Sequence, residues 1–179
     1  MLHQARLASL AQVQWREGSA ERIPLDDDTV DLVWMSQVFH HLDSVPLSFR
    51  EVRRVARTCG YLAIRNGTRE TDAEIEWRQC FPEALAIDEQ RTPSRREIVD
   101  AATAQGFEVV AQKIVYQRFA VSYTEYHDKI GQRGLSSLIT ISDEAFIAGL
   151  QRLKAWVSLQ PPDKPVFEPV DLFLFSTAK

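Results

Sequence analysis

The stretch TVDLVWM, Thr29 to Met35, decides the fold class of this chain. It is apolar on both faces, which is the pattern of a strand buried inside a parallel sheet. A helix is predicted to begin at Ser44 and to be stopped by Gly60, with apolar residues three or four positions apart. YLAI, residues 61–64, follows as a second buried strand. This alternation predicts an α/β domain with a largely parallel sheet.

Further elements are predicted on both sides of this unit. Upstream, the composition favours a helix over Leu2 to Leu10 and a short strand over Val13 to Trp15. Downstream, Ser94 with Glu97 and Ser122 with Glu125 form two capping boxes, each of which marks the start of a helix. The remaining predicted elements are a helix at 95–105, a strand at 107–119, helices near 126–130 and 146–157, and a last strand at 170–175.

Length and charge limit the class of protein. With 179 residues, the chain is expected to form one domain, made of an α/β core at 1–115 and 166–179 and a helical insertion or lid at 116–165. The 21 basic and 25 acidic residues give no basic excess, so we expect neither nucleic acid nor a membrane as partner. No apolar run approaches the roughly 18 residues of a membrane span. Cys59 and Cys80 lie in no metal-ligand or disulfide spacing, so a cytoplasmic protein without a metal site is predicted.

Residues 17–65 carry several short motifs in a fixed order. They lie in EGSAERIPLDDDTVDLVWMSQVFHHL, residues 17–42, and in REVRRVARTCGYLAI, residues 50–64. Together they resemble the pattern Gly-x-Ala-Glu-x-x-Pro, Asp-x-Val, His-His, Arg-Glu-x-x-Arg-Val and Gly-x-Leu of class I S-adenosylmethionine-dependent methyltransferases that act on small molecules, of the type 11-like kind. The resemblance implies an incomplete Rossmann-like fold. The complete fold of this family has the strand order 3-2-1-4-5-7-6.

The resemblance also implies two sets of site residues. The cofactor S-adenosylmethionine would contact a loop against its adenine, the end of the central strand under its methionine part, and a histidine near the transferring methyl: Ser19, Ala20, Glu21, Met35, Ser36 and His40. The small-molecule acceptor would contact His41, Arg65, Asn66 and Arg69. Arg65 and Arg69 could grip a carboxylate. The alternative for each residue is a purely structural role in a polar loop or at a helix start, and no catalytic base is assigned.

The positions of the glycines argue against tight cofactor binding by this chain. A class I methyltransferase normally begins with a strand that ends in a Gly-x-Gly loop, and a second strand ends in an acid for the ribose hydroxyls. The seven glycines of this chain never form Gly-x-Gly, so no loop lets backbone amides approach a cofactor closely. A nicotinamide dehydrogenase is disfavoured on the same ground. We therefore expect an N-terminally truncated, inactive or feeble methyltransferase, or alternatively a non-catalytic remnant that serves as a binding or dimerisation module.

The free edge of the TVDLVWM strand predicts that the chain associates with a second copy of itself. In the implied strand order, the strands that should flank TVDLVWM on one side are not in the chain, and a free apolar strand edge invites pairing. Either the strand at Val13 to Trp15 shifts across to fill the gap, or a second copy of the chain does. Three residues make a short cover, so a homodimer is predicted.

Overall fold

The computed structural model describes residues 13–177, and the predicted helix at Leu2 to Leu10 lies outside them. These residues form one four-stranded sheet in the order β1-β2-β4-β3, in which β1 and β2 are parallel and β4 is antiparallel to both neighbours. The strands are β1 Val30–Ser36, β2 Ala56–Asn66, β3 Phe107–Ala120 and β4 Val166–Thr177. This mixed sheet corresponds to the 4-5-7-6 part of the class I strand order, so the predicted incomplete fold is confirmed.

Eight α-helices accompany the sheet in the described part of the chain. They are α1 Val45–Val55, α2 Arg69–Asp72, α3 Glu76–Gln79, α4 Pro82–Arg91, α5 Arg95–Thr103, α6 Tyr123–Gly131, α7 Ser136–Thr140 and α8 Asp143–Val157. The capping box of α5 is confirmed, because the Ser94 hydroxyl accepts from the Glu97 N–H at 3.1 Å and the Glu97 carboxylate accepts from the Ser94 N–H at 2.7 Å. Gly106 ends this segment with a φ of 80°, which glycine adopts without strain.

One face of the sheet packs against α1 and α5, and we call this cluster the sheet core. Helical spacing in α1 and alternation in β2 turn their apolar side chains to the same interior. Its buried residues are Met35, Phe39, Phe49, Val52, Leu62, Ile64, Ile98, Ala102, Phe107, Phe173 and Phe175.

A second cluster, the helical core, lies among the short helices and the ends of β3 and β4. It draws on α3, α4, α6, α7 and α8, and the ring of Tyr126 is its largest fully buried side chain. The segment that carries α6 to α8 leaves the sheet after Ala120 and returns at Val166, and these two residues pair with each other across the β3–β4 ladder. Residues 121–165 therefore form the connection between β3 and β4, and the division of the chain into an α/β core and a helical insertion or lid stays a prediction.

In the described part of the chain, TVDLVWM lies at a free sheet edge, as the implied strand order predicts, but it is not buried on both faces as its apolar pattern suggested. β1 is an edge strand among residues 13–177, and only one of its faces is covered. Met35 points into the sheet core, whereas Leu32 and Trp34 are 54% and 55% exposed and the neighbouring Tyr61 is 44% exposed. Val13 to Trp15 forms no strand there, and Val13 and Trp15 are both exposed. This stretch therefore does not supply the missing partner of β1.

The end of α1 is a second correction. The helix ends at Val55 instead of near Gly60, because Ala56 already pairs with Val30 in the parallel ladder. The ladder resumes only at Tyr61, which pairs with Leu32, so residues 57–60 form an excursion from it. A Cβ at Gly60 would lie 2.8 Å from the Arg57 carbonyl oxygen, so this turn requires glycine.

Candidate functional site

A cavity of about 310 Å³ with polar and apolar walls lies where β1 and β2 end, beside the start of β4. Ligands of open α/β sheets bind at this end of parallel strands, and the volume is at the lower end of small-molecule sites. The sheet side of the wall includes Gln37, His40 and Asn66, and the helical side includes Trp77 and Arg78. The cavity thus joins the two cores.

Gln37 ties the two parallel strands together at the rim. Its backbone lies in the left-handed region with a φ of 52°, and its N–H donates to the Arg65 carbonyl at 2.8 Å. Its side-chain oxygen accepts from the Gly67 N–H at 3.0 Å. Sequence reasoning missed Gln37, although its place directly after a central strand was a usable signal.

Asn66 positions the turn that carries the predicted histidines. It is buried, its carbonyl oxygen accepts from the Phe39 N–H at 3.4 Å, and its amide donates to the Gly67 carbonyl at 2.7 Å. Phe39 begins a 3-10 turn, and His40 of this turn lines the cavity while His41 does not. Partial desolvation, followed by the neighbouring His41, lowers the pKa of His40, which disfavours a charged ring.

The predicted adenine loop is anchored on the start of α1. The Ser19 hydroxyl donates to one oxygen of Glu21. The other oxygen accepts from the N–H groups of Asp43 and Ser44 at 3.1 and 3.3 Å and from the Ser48 hydroxyl at 3.0 Å. These bonds, with that from Ser19 the largest, lower the pKa of Glu21 to about 2. Glu21 therefore holds the loop at a helix N-terminus, where a carboxylate is favoured.

The residues at the end of β1 are held by packing in the sheet core and by a hydrogen bond from β2. Met35 is buried in the sheet core, and the half-buried Ser36 accepts a hydrogen bond from Arg65 at 3.1 Å. The other amino group of Arg65 donates to Gln117, which lines the cavity. Ala20 is half-buried in the loop before β1. Ser36 and Arg65 thus connect the strand end with the cavity wall.

Arg69 has a different environment from the one predicted. It does not line the cavity, and it donates to the Thr92 carbonyl at 3.1 Å and to the Glu97 carboxylate at 2.7 Å. Since Arg65 is also bonded within the protein, the geometry offers no two-arginine clamp for a carboxylate.

The helical side of the cavity holds charged residues that sequence reasoning missed. Arg78 forms ion pairs with Asp72, at 3.2 Å, and with Asp88, and its guanidinium lies 4.9 Å from the centroid of the Trp77 ring. Burial raises the pKa of Asp72, while Arg78 acts in the other direction. All four residues lie within 69–91, a stretch without a strong periodic pattern of apolar residues.

Glu168, at the start of β4, is the most unusual acid in the cavity wall. It is 7% exposed, and its Oε1 has no hydrogen-bond partner among the described residues. Burial raises the pKa of Glu168 to about 7; a hydrogen bond from Tyr126 and the charge of Arg78 oppose this, and Glu76 and Asp72 add to it. The cavity therefore contains a carboxyl group that titrates near neutral pH.

The described residues fit only part of S-adenosylmethionine. The resemblance assigns its adenine part to the turn at Ser19 to Glu21 and its methionine part to the end of β1, and this assignment stays a prediction. Both oxygens of Glu21 are bonded within the protein, so this acid is not available to ribose hydroxyls. The chain also contains no Gly-x-Gly sequence. Between residues 13 and 177 no group of three or more His, Cys, Asp or Glu side chains could hold a metal, and no helix could cross a membrane.

Comparison with known proteins shows where the similarity lies. A family model described as "Methyltransferase domain" matches residues 1–64. An uncharacterized methyltransferase of Mycobacterium tuberculosis strain H37Rv is 31% identical over 119 residues, which are 66% of this chain and 43% of that protein. The chain therefore spans less than half the length of the curated relatives it matches.

Solved structures show the same fold along nearly the whole chain. A candidate methyltransferase of an antibiotic biosynthesis pathway from Anabaena variabilis has a TM-score of 0.67 at 20% identity, with 94% of this chain and 75% of that chain covered. A phosphoethanolamine N-methyltransferase of Haemonchus contortus, solved with phosphomonomethylethanolamine and S-adenosylhomocysteine, has a TM-score of 0.54 at 15% identity, with 99% and 40% covered. Together with the motifs and the strand order, these matches support a class I S-adenosylmethionine-dependent methyltransferase, and the methyltransferase domain model itself covers residues 1–64 of this chain.

Proposed function

We propose that this chain contributes to S-adenosylmethionine-dependent methyl transfer to a small-molecule acceptor, which occupies the 310 Å³ cavity. The observation that carries the proposal is the position of this cavity at the ends of the parallel strands, with His40 and Asn66 on its wall. The family assignment and the S-adenosylhomocysteine complex of the Haemonchus contortus enzyme support it.

The cofactor would lie along the adenine loop and the end of β1, on Ser19 to Glu21, Met35, Ser36 and His40. We expect the chain by itself to bind this cofactor weakly, because a polar ligand depends on a few well-placed groups and no Gly-x-Gly loop is present. His41 and Arg65 stay in the proposal as residues near the rim. Arg69 would act through the loop that it holds against Glu97.

A second function is favoured by the uncovered face of the sheet. Leu32, Trp34 and Tyr61 expose apolar surface beside the free edge of β1. Such a surface suits a homodimer or a binding module that performs no catalysis. Light scattering across a hundredfold dilution tests this alternative, and a 20.4 kDa species at every concentration would contradict it.

The cofactor proposal calls for a measurement that detects weak binding. Amide NMR spectra of the labelled chain are recorded during titration with millimolar S-adenosylhomocysteine. We expect shift changes to cluster at residues 19–22 and 35–41, because these segments form the proposed surface. Changes that are absent, or that lie only elsewhere, would remove the proposed cofactor site.

A pair of variants sharpens this experiment. Ser36→Phe places a bulky ring at the end of β1 and should abolish the shift changes. Ser158→Phe, at an exposed serine after α8, is the matched control and should leave them unchanged. Equal responses of both variants would exclude Ser36 from the site.

A further inference from the structure

Two unpartnered polar atoms mark the acceptor cavity. Three buried side-chain atoms of the described residues have no hydrogen-bond partner: Glu168 Oε1, Arg78 Nε and Arg95 Nη2. Glu168 and Arg78 both line the cavity, whereas Arg95 does not. A buried polar atom without a partner is costly, so a ligand that supplies the missing hydrogen bond gains affinity.

The charges around these atoms indicate which ligand fits. The cavity is lined by three carboxylates and two guanidiniums, on Asp72, Asp88, Glu168, Arg78 and Arg91. Arg78 pairs with Asp72 and Asp88, and Arg91 is exposed. Within residues 13–177 no ion pair involves Glu168, which is more than nine-tenths buried. Arg78 is near enough to influence this carboxyl group but forms no ion pair with it, so a bound cation could become its direct partner.

The apolar part of the wall argues for an organic cation. Trp77 and Ile75 are buried there, and Phe119 is half-buried. Arg78 already lies near the Trp77 ring and Lys129 near the Phe119 ring, so these rings offer a ligand contact with the hydrocarbon groups next to its charge. An ammonium group with an apolar body matches this combination better than a hydrated metal ion does.

We propose, on the basis of the methyl-transfer function inferred above, that the acceptor is a primary or secondary amine whose N–H donates to Glu168 Oε1. An alcohol can donate a hydrogen bond as well, but it brings no positive charge to the buried carboxylate. A carboxylate ligand would be repelled. Charge-assisted hydrogen bonds are about twice as strong as neutral ones, so this site selects amines over alcohols of the same shape.

Proton release gives the proposal a second readout. The groups that face Glu168 are Tyr126, Arg78, Glu76 and Asp72, and burial holds the pKa of Glu168 at about 7. A cation bound beside this carboxyl lowers its pKa, because it favours the charged form. Binding of an ammonium ligand near pH 7 should therefore release a proton to the buffer.

The experiment compares three probes of one shape on the full chain. Benzylamine, benzyl alcohol and benzoate are titrated at pH 7 while the indole N–H signal of Trp77 is followed by NMR. We expect benzylamine to bind at least about tenfold more tightly than benzyl alcohol, and benzoate not to bind at this position. Calorimetry of benzylamine in phosphate and in Tris, which differ in ionisation enthalpy, should show proton release.

Two variants assign the effect to one residue. Glu168→Gln keeps the shape and removes the charge, so it should reduce the preference for benzylamine to within about twofold and abolish proton release. Glu83→Gln, an exposed acid on α4, should change neither. Equal affinities of the amine and the alcohol for the unmodified chain, or an unchanged preference in Glu168→Gln, would overturn the proposal. If Glu168→Gln does not fold, the buffer comparison on the unmodified chain decides.

The two proposals can fail separately. S-adenosylhomocysteine titration reports on the cofactor surface at residues 19–22 and 35–41, and benzylamine titration reports on the cavity. Loss of the first response with retention of the second would leave an amine-binding site without methyl transfer. The opposite result would leave a methyltransferase whose acceptor is not an amine.

Discussion

The sheet core and the helical core differ in the regularity of their elements and in the hydrogen bonding of the polar groups beside them. The sheet core is built from strands and helices with regular apolar spacing, and polar groups beside it, such as Glu21 and Asn66, are hydrogen-bonded. The helical core is built from short helices, and the unpartnered atoms of Glu168 and Arg78 lie next to it. Arg95 of α5 also carries an unpartnered atom, but it does not line the cavity, so under the proposed function the sheet core is the frame and the helical core is the part that would set ligand selectivity.

The largest expected effect is a loss of stability when a buried residue of the sheet core is truncated. Phe49 of α1 is fully buried and contacts the ring of Phe39 edge to face. Phe49→Ala should lower the free energy of unfolding by about 3–5 kcal/mol, since a buried ring is replaced by a cavity. Urea denaturation measures this. Leu47→Ala, at a residue of the same helix that is 41% exposed, is the control, and an equal loss in both variants would contradict the assignment of Phe49 to the core.

A smaller effect is expected in the helical core. A Cβ at Gly149 of α8 would overlap the buried ring of Phe81. Gly149→Ala should therefore destabilise the chain by about 1–3 kcal/mol through overpacking, despite the better helix propensity of alanine. NMR shift changes should concentrate in the helical core and the cavity wall. Gly134→Ala is the control, because nothing lies within 4 Å of its added Cβ; a loss of equal size there would show that packing is not the cause.

Helix caps allow the two cores to be compared with one kind of change. The hydroxyls of Ser94 and Ser122 accept hydrogen bonds from N–H groups of α5 and α6 at 3.1 and 3.2 Å. Either Ser→Ala change should cost about 1 kcal/mol. If the cores have separate tasks, only Ser122→Ala should alter the affinity for benzylamine. A change of affinity in Ser94→Ala instead would break the comparison.

The smallest effect concerns pH. The pKa of Glu21 is lowered from 4.5 to about 2, mainly by the Ser19 hydrogen bond. Its contribution to stability is thus present above pH 4.5 and is lost as the pH falls toward 2. Glu21→Gln should flatten the stability profile in this range, as measured by thermal unfolding between pH 2 and 5. Glu17→Gln, at an exposed acid in the same loop, should leave the profile unchanged.

The sequence predicted the sheet core better than the helical core for a physical reason. Val45, Phe49 and Val52 repeat with helical spacing, and the Ser94 capping box is a local signal, so both were recognised. Where tertiary pairing competed with local preference, the prediction failed: Ala56 leaves the helix because it pairs with Val30. Helices α2 and α3 have four residues each, too few for a periodic pattern.

The cavity acids were missed for a related reason. Glu168 stands between Phe167 and Pro169 at the entrance of a strand, and nothing local distinguishes it from an exposed strand-end acid. Its burial depends on contacts with residues far away in the sequence, such as Tyr126 and Arg78. The resemblance singled out His40 for the cofactor and Asn66 for the acceptor, and both line the cavity, but it gave no information on the helical side.

The pairing of Ala120 with Val166 has an evolutionary consequence. Because the insertion leaves and re-enters the sheet at paired residues, its ends are held at a fixed separation by the β3–β4 ladder. A segment of different length or sequence can be exchanged between these two residues without changing the register of the strands. Recombination at this junction would replace Tyr126 and Leu135 to Ser137 in one event while the residues around β1 stay the same. One part of the cavity wall would thus change, while Glu168, Trp77 and Arg78, which lie outside this segment, would be inherited with the frame.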